Sequence, residues 1–182
     1  MTNLVLFANY LTGEFDNMEQ WEGLTDVGKT TFPQARHCNH IVNDKINGLS
    51  YQNKFYVLEE SYYTMGGQTS AQPHLFCFAE NEEGDIVLTS YNITKEYPKE
   101  NMMYEKFELN AEDISLSEKF NPLTYTYKDG TFFGESESML SPVLKFVLKE
   151  EISDEKLVIQ ESMWKNGKRI FGINQPIIYK RK

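Results

Sequence analysis

Apolar residues at Leu4, Phe7, Ala8, Leu11, Phe15 and Met18 recur at intervals of three and four, the spacing of one helical face. That spacing predicts an amphipathic helix over residues 4–21. Downstream the period changes to two. In segment 143–150, Leu144, Phe146 and Leu148 fall on one side and Lys145 and Lys149 on the other, as in a half-buried strand. Aromatic-rich runs of this kind predict ten strands, at 35–46, 51–62, 74–80, 86–93, 123–127, 131–137, 143–150, 156–163, 169–172 and 176–180.

The punctuation between these runs agrees with them. Asn47-Gly48, Asp129-Gly130 and Asn166-Gly167 are turn pairs, because both residues of such a pair tolerate a positive φ. Residues 81–85 close a further hairpin, and 22–34 read as a Gly- and Thr-rich connector. Segment 65–73 reads as a flexible loop, since two glycines and small polar side chains offer nothing to bury. Segment 95–117 is charged and without a clear period, with a short helix expected over 111–119. About ten strands are enough to close a barrel, which removes the free edges of an open sheet. The expected fold is mainly β: a single domain over 1–182, an antiparallel calyx-like β-barrel with the N-terminal amphipathic helix as its lid or plug.

Charge and composition narrow the partners. Eighteen Lys and Arg against 27 Asp and Glu leave a net charge of -9. An acidic chain without a compact basic stripe repels phosphate backbones and anionic lipid surfaces, so neither nucleic acid nor membrane is an expected partner. The 12 Phe and 11 Tyr suit the walls of a pocket for a flat or apolar ligand, although strands favour aromatics in any case. Two cysteines, Cys38 and Cys77, make no disulfide framework and no Cys-x-x-Cys motif. The first residues lack a basic n-region and a small-residue cleavage site, and no run approaches a membrane span. The expectation is a soluble cytoplasmic protein in a reducing compartment.

Three glutamates stand out among the strand residues. Glu59 shares a face with Phe55 and Val57, Glu60 with Tyr56, Leu58 and Tyr62, and Glu161 with Leu157 and Ile159. A carboxylate on an apolar face finds donors, reaches solvent at a strand end, or gives up its charge. One register slip exchanges Glu59 for Glu60, so the sequence leaves open which of them faces inward. His37, Cys38, His40, His74 and Cys77 suggest a metal site, but on a strand Cys38 and His40 point one way and His37 the other. Four ligands do not converge there without a bulge, and no metal is expected. Either cysteine as a nucleophile lacks a supporting motif.

Several segments together resemble the T-type phycobiliprotein lyases, the CpcT/CpeT family of bilin chromophore lyases. Phe7-Ala8-Asn9-Tyr10-Leu11-Thr12-Gly13-Glu14-Phe15-Asp16-Asn17 with Gln20 looks like the family's opening motif. His40-Ile41 and residues 55–62 look like its next two strands, with Glu59, Glu60 and Tyr62 where the family tends to have Glu, Gln and Tyr. Asp129-Gly130-Thr131-Phe132-Phe133-Gly134 resembles a later turn, and Gly172, Gln175-Pro176 and Tyr179 resemble the closing strand. The resemblance implies a calyx that binds an open-chain tetrapyrrole, phycoerythrobilin or phycocyanobilin, as ligand or substrate with no obligatory cofactor. It implies delivery to a cysteine of a phycobiliprotein β subunit, where the acceptor thiolate adds to the A-ring ethylidene, and it favours a homodimer.

On this reading Tyr56, Glu59, Tyr62, Glu161, Trp164, Arg169 and His40 are the expected bilin-binding residues, with Glu59 and Glu161 in the catalytic role of holding the pyrrole nitrogens. Arg36, Lys168 or Arg169 are expected to pair the propionates. The chain departs from the family where Pro-Tyr-Arg-x-Arg is typical, reading Pro73-His74-Leu75-Phe76-Cys77. Asn121 and Pro142 stand near places where family members carry cysteine. Two other readings remain: a carrier that binds pigment without transferring it, and a lipocalin-like binder of another apolar ligand, for which Glu59 and Glu161 would point outward.

Overall fold

The computed structural model describes residues 2–94 and 96–182, so Lys95 in the charged stretch lies outside the described residues. Its helices are α1 (Asn3–Leu11), α2 (Met18–Glu22) and α3 (Asp26–Thr31). Its strands are β1 (Gly13–Asp16), β2 (Gln34–Ile41), β3 (Ile46–Asn47), β4 (Lys54–Met65), β5 (Gln68–Glu80), β6 (Ile86–Ile93) and β7 (Leu109–Asn110). They continue as β8 (Ile114–Leu116), β9 (Leu123–Lys128), β10 (Thr131–Ser141), β11 (Leu144–Ile152), β12 (Lys156–Lys165), β13 (Lys168–Phe171) and β14 (Ile177–Arg181). Ten of these run in the order β11-β10-β9-β6-β5-β4-β2-β1-β14-β12, and the β11–β12 pairing closes the ring. The expected antiparallel barrel of about ten strands is therefore the fold, with β13 and β8 added outside the ring on β12 and β6.

The N-terminal helix is shorter than its periodicity suggests. It ends at Leu11, and residues 13–16 form a barrel strand between β2 and β14. Two things stop it. Gly13 takes φ +125°, which an L side chain rarely adopts. The Arg181 guanidinium then bonds the carbonyls of Thr12 (2.6 Å), Tyr10 (2.8 Å) and Asn9 (3.1 Å), satisfying carbonyls that the helix end leaves without partners. Closure of the ring thus outweighs three further turns of helix.

The polar residues after Gly13 fasten the seam. Asn17, fully buried, donates to the Pro33 carbonyl (2.9 Å) and accepts from the Ala35 amide (2.7 Å). Gln20 donates to the Pro176 carbonyl (2.9 Å) and accepts from the Ile178 amide (2.8 Å), which ties α2 to β14.

Three other expectations change. Segment 65–73 is a two-residue turn at Gly66-Gly67 rather than a loop, because its small polar residues keep the β4–β5 ladder as far as Met65 and Gln68. The short helix expected over 111–119 is a single 3-10 turn at Ala111–Asp113, closed by a reciprocal Asn110–Asp113 cap and followed by β8. The connector at 22–34 contains α3, capped by Thr25.

α1 plugs one end of the barrel. The Phe7 ring lies 5.1 Å from Phe78, 4.8 Å from Tyr125 and 4.9 Å from Phe132, with no exposed surface. Phe7→Ala is expected to cost about 3–5 kcal/mol, the range for emptying a packed aromatic site. The check is a urea melt, in which a midpoint unchanged from the parent would show that α1 only rests on the barrel.

A second apolar cluster covers the outer face of β4–β6. Tyr56, Leu58, Leu75 and Cys77 pack there beneath Phe107 and Leu109 of the segment over 96–110. The Glu60 carboxylate anchors that segment, accepting from the Tyr104 amide (3.0 Å) and the Tyr62 hydroxyl (2.6 Å).

Candidate functional site

Strand alternation decides which side chains enter the barrel. On β4 the inward residues are Phe55, Val57, Glu59, Ser61 and Tyr63, since Phe55 and Val57 belong to the main core while Tyr56 and Leu58 belong to the outer cluster. Across the ladders, Glu59 pairs with Asn39 of β2 and His74 of β5, and Ser61 pairs with His37. On the opposite wall Leu148 pairs with Glu161, and Glu150 with Ile159. Glu59, Glu150 and Glu161 therefore line one cavity of about 160 Å³, walled by residues such as Phe76, Phe78, Phe146 and Tyr125. A chamber of about 650 Å³ adjoins it at Ile159 and Glu161, between the β4–β5 and β12–β13 hairpins.

The cavity is acidic but short of donors. Ser61 donates to Glu59 Oε1 (2.9 Å), and Tyr125 donates to Glu150. Burial pushes Glu150 up to about 8; the Tyr125 hydrogen bond opposes this, while Glu59 and Glu161 add to it. Burial, reinforced by Glu59, pushes Glu161 up to about 7. Both keep some accessible surface, but it faces the cavity, where a carboxylate is poorly solvated. A proton held by one of these groups is therefore easily gained or lost near neutral pH.

His37 sits among them. Burial lowers its pKa, against the pull of Glu59, so the imidazole is neutral at pH 7. Its Nδ1 lies 3.5 Å from Glu59 Oε2 without hydrogen-bond geometry, and its ring lies 4.3 Å from that of Tyr179. The Tyr179 hydroxyl is likewise buried without a partner. Burial also raises Tyr63, with Glu161 and Glu59 adding to it, and raises Tyr179. Orphaned buried polar atoms are rare and point to a missing partner. Here they lie beside carboxyls that also face open space.

The seven residues expected from the sequence separate into two groups. Glu59 and Glu161 come together in the cavity wall. Tyr56 and Tyr62 face away from it, on the outer side of β4; the Tyr62 hydroxyl is raised to about 12 by burial and by its bond to Glu60. His40 stacks on Tyr104 at 4.2 Å, on the outer face of β2. Trp164 donates to Ser162, and the Arg169 guanidinium lies 5.9 Å from its ring on the β12–β13 hairpin. Arg36 covers the Tyr62 ring at 4.4 Å, also outside.

Glu150 escaped the sequence reading although its signal was present, for it shares a face with Phe146 and Leu148. Tyr63 and Tyr125 became visible only through the ladder registers, which also bring His37, one of the residues that suggested a metal site, and Tyr179, part of the resembled closing strand, to this wall. Among the described residues no group of three or more His, Cys, Asp or Glu is placed to hold a metal ion. Burial pushes the thiols of Cys38 and Cys77 up, away from the reactive thiolate.

No family model and no curated protein matches the chain. In fold it is similar to the T-type phycobiliprotein lyase CpeT from Prochlorococcus phage P-HM1, with a TM-score of 0.54 over 98% of this chain and 97% of that one, at 13% identity. The overall architecture thus agrees with the resemblance read from the motifs. None of the described helices is long and apolar enough to cross a membrane.

Proposed function

We propose that the barrel binds an open-chain tetrapyrrole and presents it for thioether attachment to a cysteine of a phycobiliprotein β subunit. The observation that carries this reading is the set of three inward carboxyls, Glu59, Glu150 and Glu161, in an aromatic cavity beside the unpartnered His37 Nδ1 and Tyr179 hydroxyl. A linear tetrapyrrole offers what this wall lacks: a row of N–H donors on a flat apolar body. The similarity in fold, over 98% of this chain, to a structure described as a phycobiliprotein lyase supports the same ligand class.

Each group has a physical task. Glu59 and Glu161 accept pyrrole N–H bonds and fix the pigment's depth and rotation. Glu150, near 8, and Glu161, near 7, hold protons that are exchanged with the pigment's imine nitrogen, leaving a carboxylate beside a cationic chromophore. Phe76, Phe78 and Phe146 exclude water. In the attachment step the acceptor thiolate forms the C–S bond, the ethylidene π bond opens, and a proton goes to ring A. The nucleophile is the acceptor's, which suits the raised, buried thiols of this chain. Orientation is the main contribution of the barrel.

The test is a titration with phycocyanobilin and phycoerythrobilin, read as red-shifted, intensified absorption. Glu59→Gln and Glu161→Gln are each expected to weaken binding about tenfold and to shift the band toward the neutral pigment, since a hydrogen bond to a charged group contributes about 1.5–3 kcal/mol. Parent and variants leaving the spectrum equally unchanged would end this reading.

One observation favours the carrier as a second reading. Leu75 and Cys77 stand where the resembled family carries arginines, and both are buried in the outer cluster beneath the segment over 96–110. Neither of these two positions presents a guanidinium to an acceptor. Incubation with bilin and apo β subunit, followed by a denaturing gel with zinc-enhanced fluorescence, separates the two. A covalent band dependent on this protein supports transfer; a coloured complex without one supports the carrier.

A further inference from the structure

Carboxyl groups line the interior, yet among the described residues lining either the cavity or the adjoining chamber there is no lysine or arginine. The chamber instead presents neutral amides and hydroxyls, among them Gln68, Gln72, Gln175, Thr69 and Ser70. The basic side chains that do line the cavity are His37 and His74. His37 is buried and neutral, and His74 stands opposite Glu59 across the β4–β5 ladder.

The cations expected to meet the propionates lie elsewhere. Arg36 is on the outer face over Tyr62, and Arg169 is on the hairpin beside Trp164 and bonded to Asn174. Arg181 is committed to the α1 carbonyls at the plugged end. Lys119 lies at the rim, its ammonium 5.1 Å from the Phe120 ring, and is exposed.

We infer that this site selects an open-chain tetrapyrrole through its pyrrole body alone and keeps the ligand's carboxylates outside the barrel, so that propionate charge adds nothing favourable to affinity. This rests on the proposed function. It also sets the pose: the edge bearing N–H groups faces Glu59 and Glu161, and the propionate edge faces the mouth. A carboxylate brought inside would lose its hydration and meet like charge with no partner, which is strongly unfavourable. At the rim an exposed lysine adds little, because such pairs are screened by solvent.

Esterifying the pigment's two carboxylates is therefore expected not to weaken binding. The experiment compares biliverdin with its dimethyl ester, and phycocyanobilin with its own, at about pH 8 on the full chain. Affinities come from absorption titration. An ester bound as tightly as the diacid within about threefold, or more tightly, supports the inference. A diacid preferred by more than about threefold overturns it, and shows that a cation reaches the propionates. Binding of neither pigment overturns the function reading, and this inference with it.

A second arm tests the cause. Glu161→Gln removes a negative charge between the cavity and the chamber, and it is expected to move the diacid-to-ester affinity ratio toward the diacid by about threefold. Taking the ratio cancels any loss of pyrrole N–H bonding common to both pigments. A ratio unchanged from the parent overturns the electrostatic exclusion.

Discussion

Replacing Gly172 with alanine is expected to be the most damaging single-methyl change in this protein. Gly172 follows β13 with φ +97° and lies against the backbone of β12. A Cβ added there would stand 2.3 Å from the Glu161 carbonyl oxygen and 2.9 Å from the Ser162 Cα. Neither atom is the far end of a flexible side chain, so β12 itself must move, or the turn over 172–176 must leave it. Both outcomes displace Glu161. The positive φ alone costs an L residue about 1–2 kcal/mol, and the clash brings the expected loss to about 2–5 kcal/mol. Pigment affinity is expected to fall at least about tenfold, because a carboxyl misplaced by 1 Å loses its directed hydrogen bond. Gly167→Ala is the matched control: its φ is +74°, but nothing lies within 4 Å of the added methyl. A Gly172→Ala protein that melts like Gly167→Ala and binds pigment like the parent would contradict this account.

The second large effect concerns pH. Glu150 rises to about 8 and Glu161 to about 7 from an ordinary value of 4.5. Below about pH 4.5 both are protonated in the folded and unfolded chains and have no effect on the balance. Between about pH 4.5 and 8 the folded chain holds protons that the unfolded chain releases, so stability falls as pH rises. Above about 8 the loss levels off. Full expression of the shifts is on the order of 3–5 kcal/mol per group, an upper limit because both carboxyls face a cavity that admits water.

The groups facing them are Glu59, Tyr125, Tyr63 and His37, so the carboxyls titrate as a coupled set rather than one at a time. Urea unfolding of the parent and of the Glu150→Gln/Glu161→Gln double variant, from about pH 5 to 9, isolates this coupled set, because groups remote from the cavity cancel in the difference. The double variant is expected to match the parent near pH 5 and to be more stable by several kcal/mol near pH 9. A difference that does not grow with pH would remove the buried-acid picture.

Strand existence, the turn pairs and the barrel were legible along the chain because alternation and Asn-Gly or Asp-Gly turns are local signals. Helix α1 was legible for the same reason, but its end was not. The apolar spacing continues through Phe15 and Met18, and Phe15 is indeed fully buried, but as a barrel strand residue. What ended the helix was Arg181, far away in sequence, together with the need for a strand between β2 and β14. Gly13, Asn17 and Gln20 belong to the opening motif of the family resemblance, and in the structure they close that seam.

The site was legible in part. Glu59 and Glu161 stood out as charges on apolar strand faces. Glu150 carried the same signal, and it closes a run whose other inward members had been identified. Tyr56, Tyr62 and His40 join Glu59 only through the family resemblance; alternation puts Tyr56 and Tyr62 on the face of Glu60, and the structure keeps them there. Whether Glu59 or Glu60 turned inward depended on a second layer, the segment over 96–110, which covers the other face and occupies Glu60.

By itself the sequence determined that this chain forms a helix-plugged β-barrel with acidic residues on apolar strand faces, because periodicity and turn chemistry act over a few residues. Only the tertiary structure decided which face is inside, that three carboxyls from β4, β11 and β12 share one cavity, and that no lysine or arginine among the described lining residues accompanies them. These depend on ladder register and on ring closure, which pairs Phe15 with Arg181 and carries Glu59 and Glu161 into one cavity through backbone hydrogen bonds that no local pattern records.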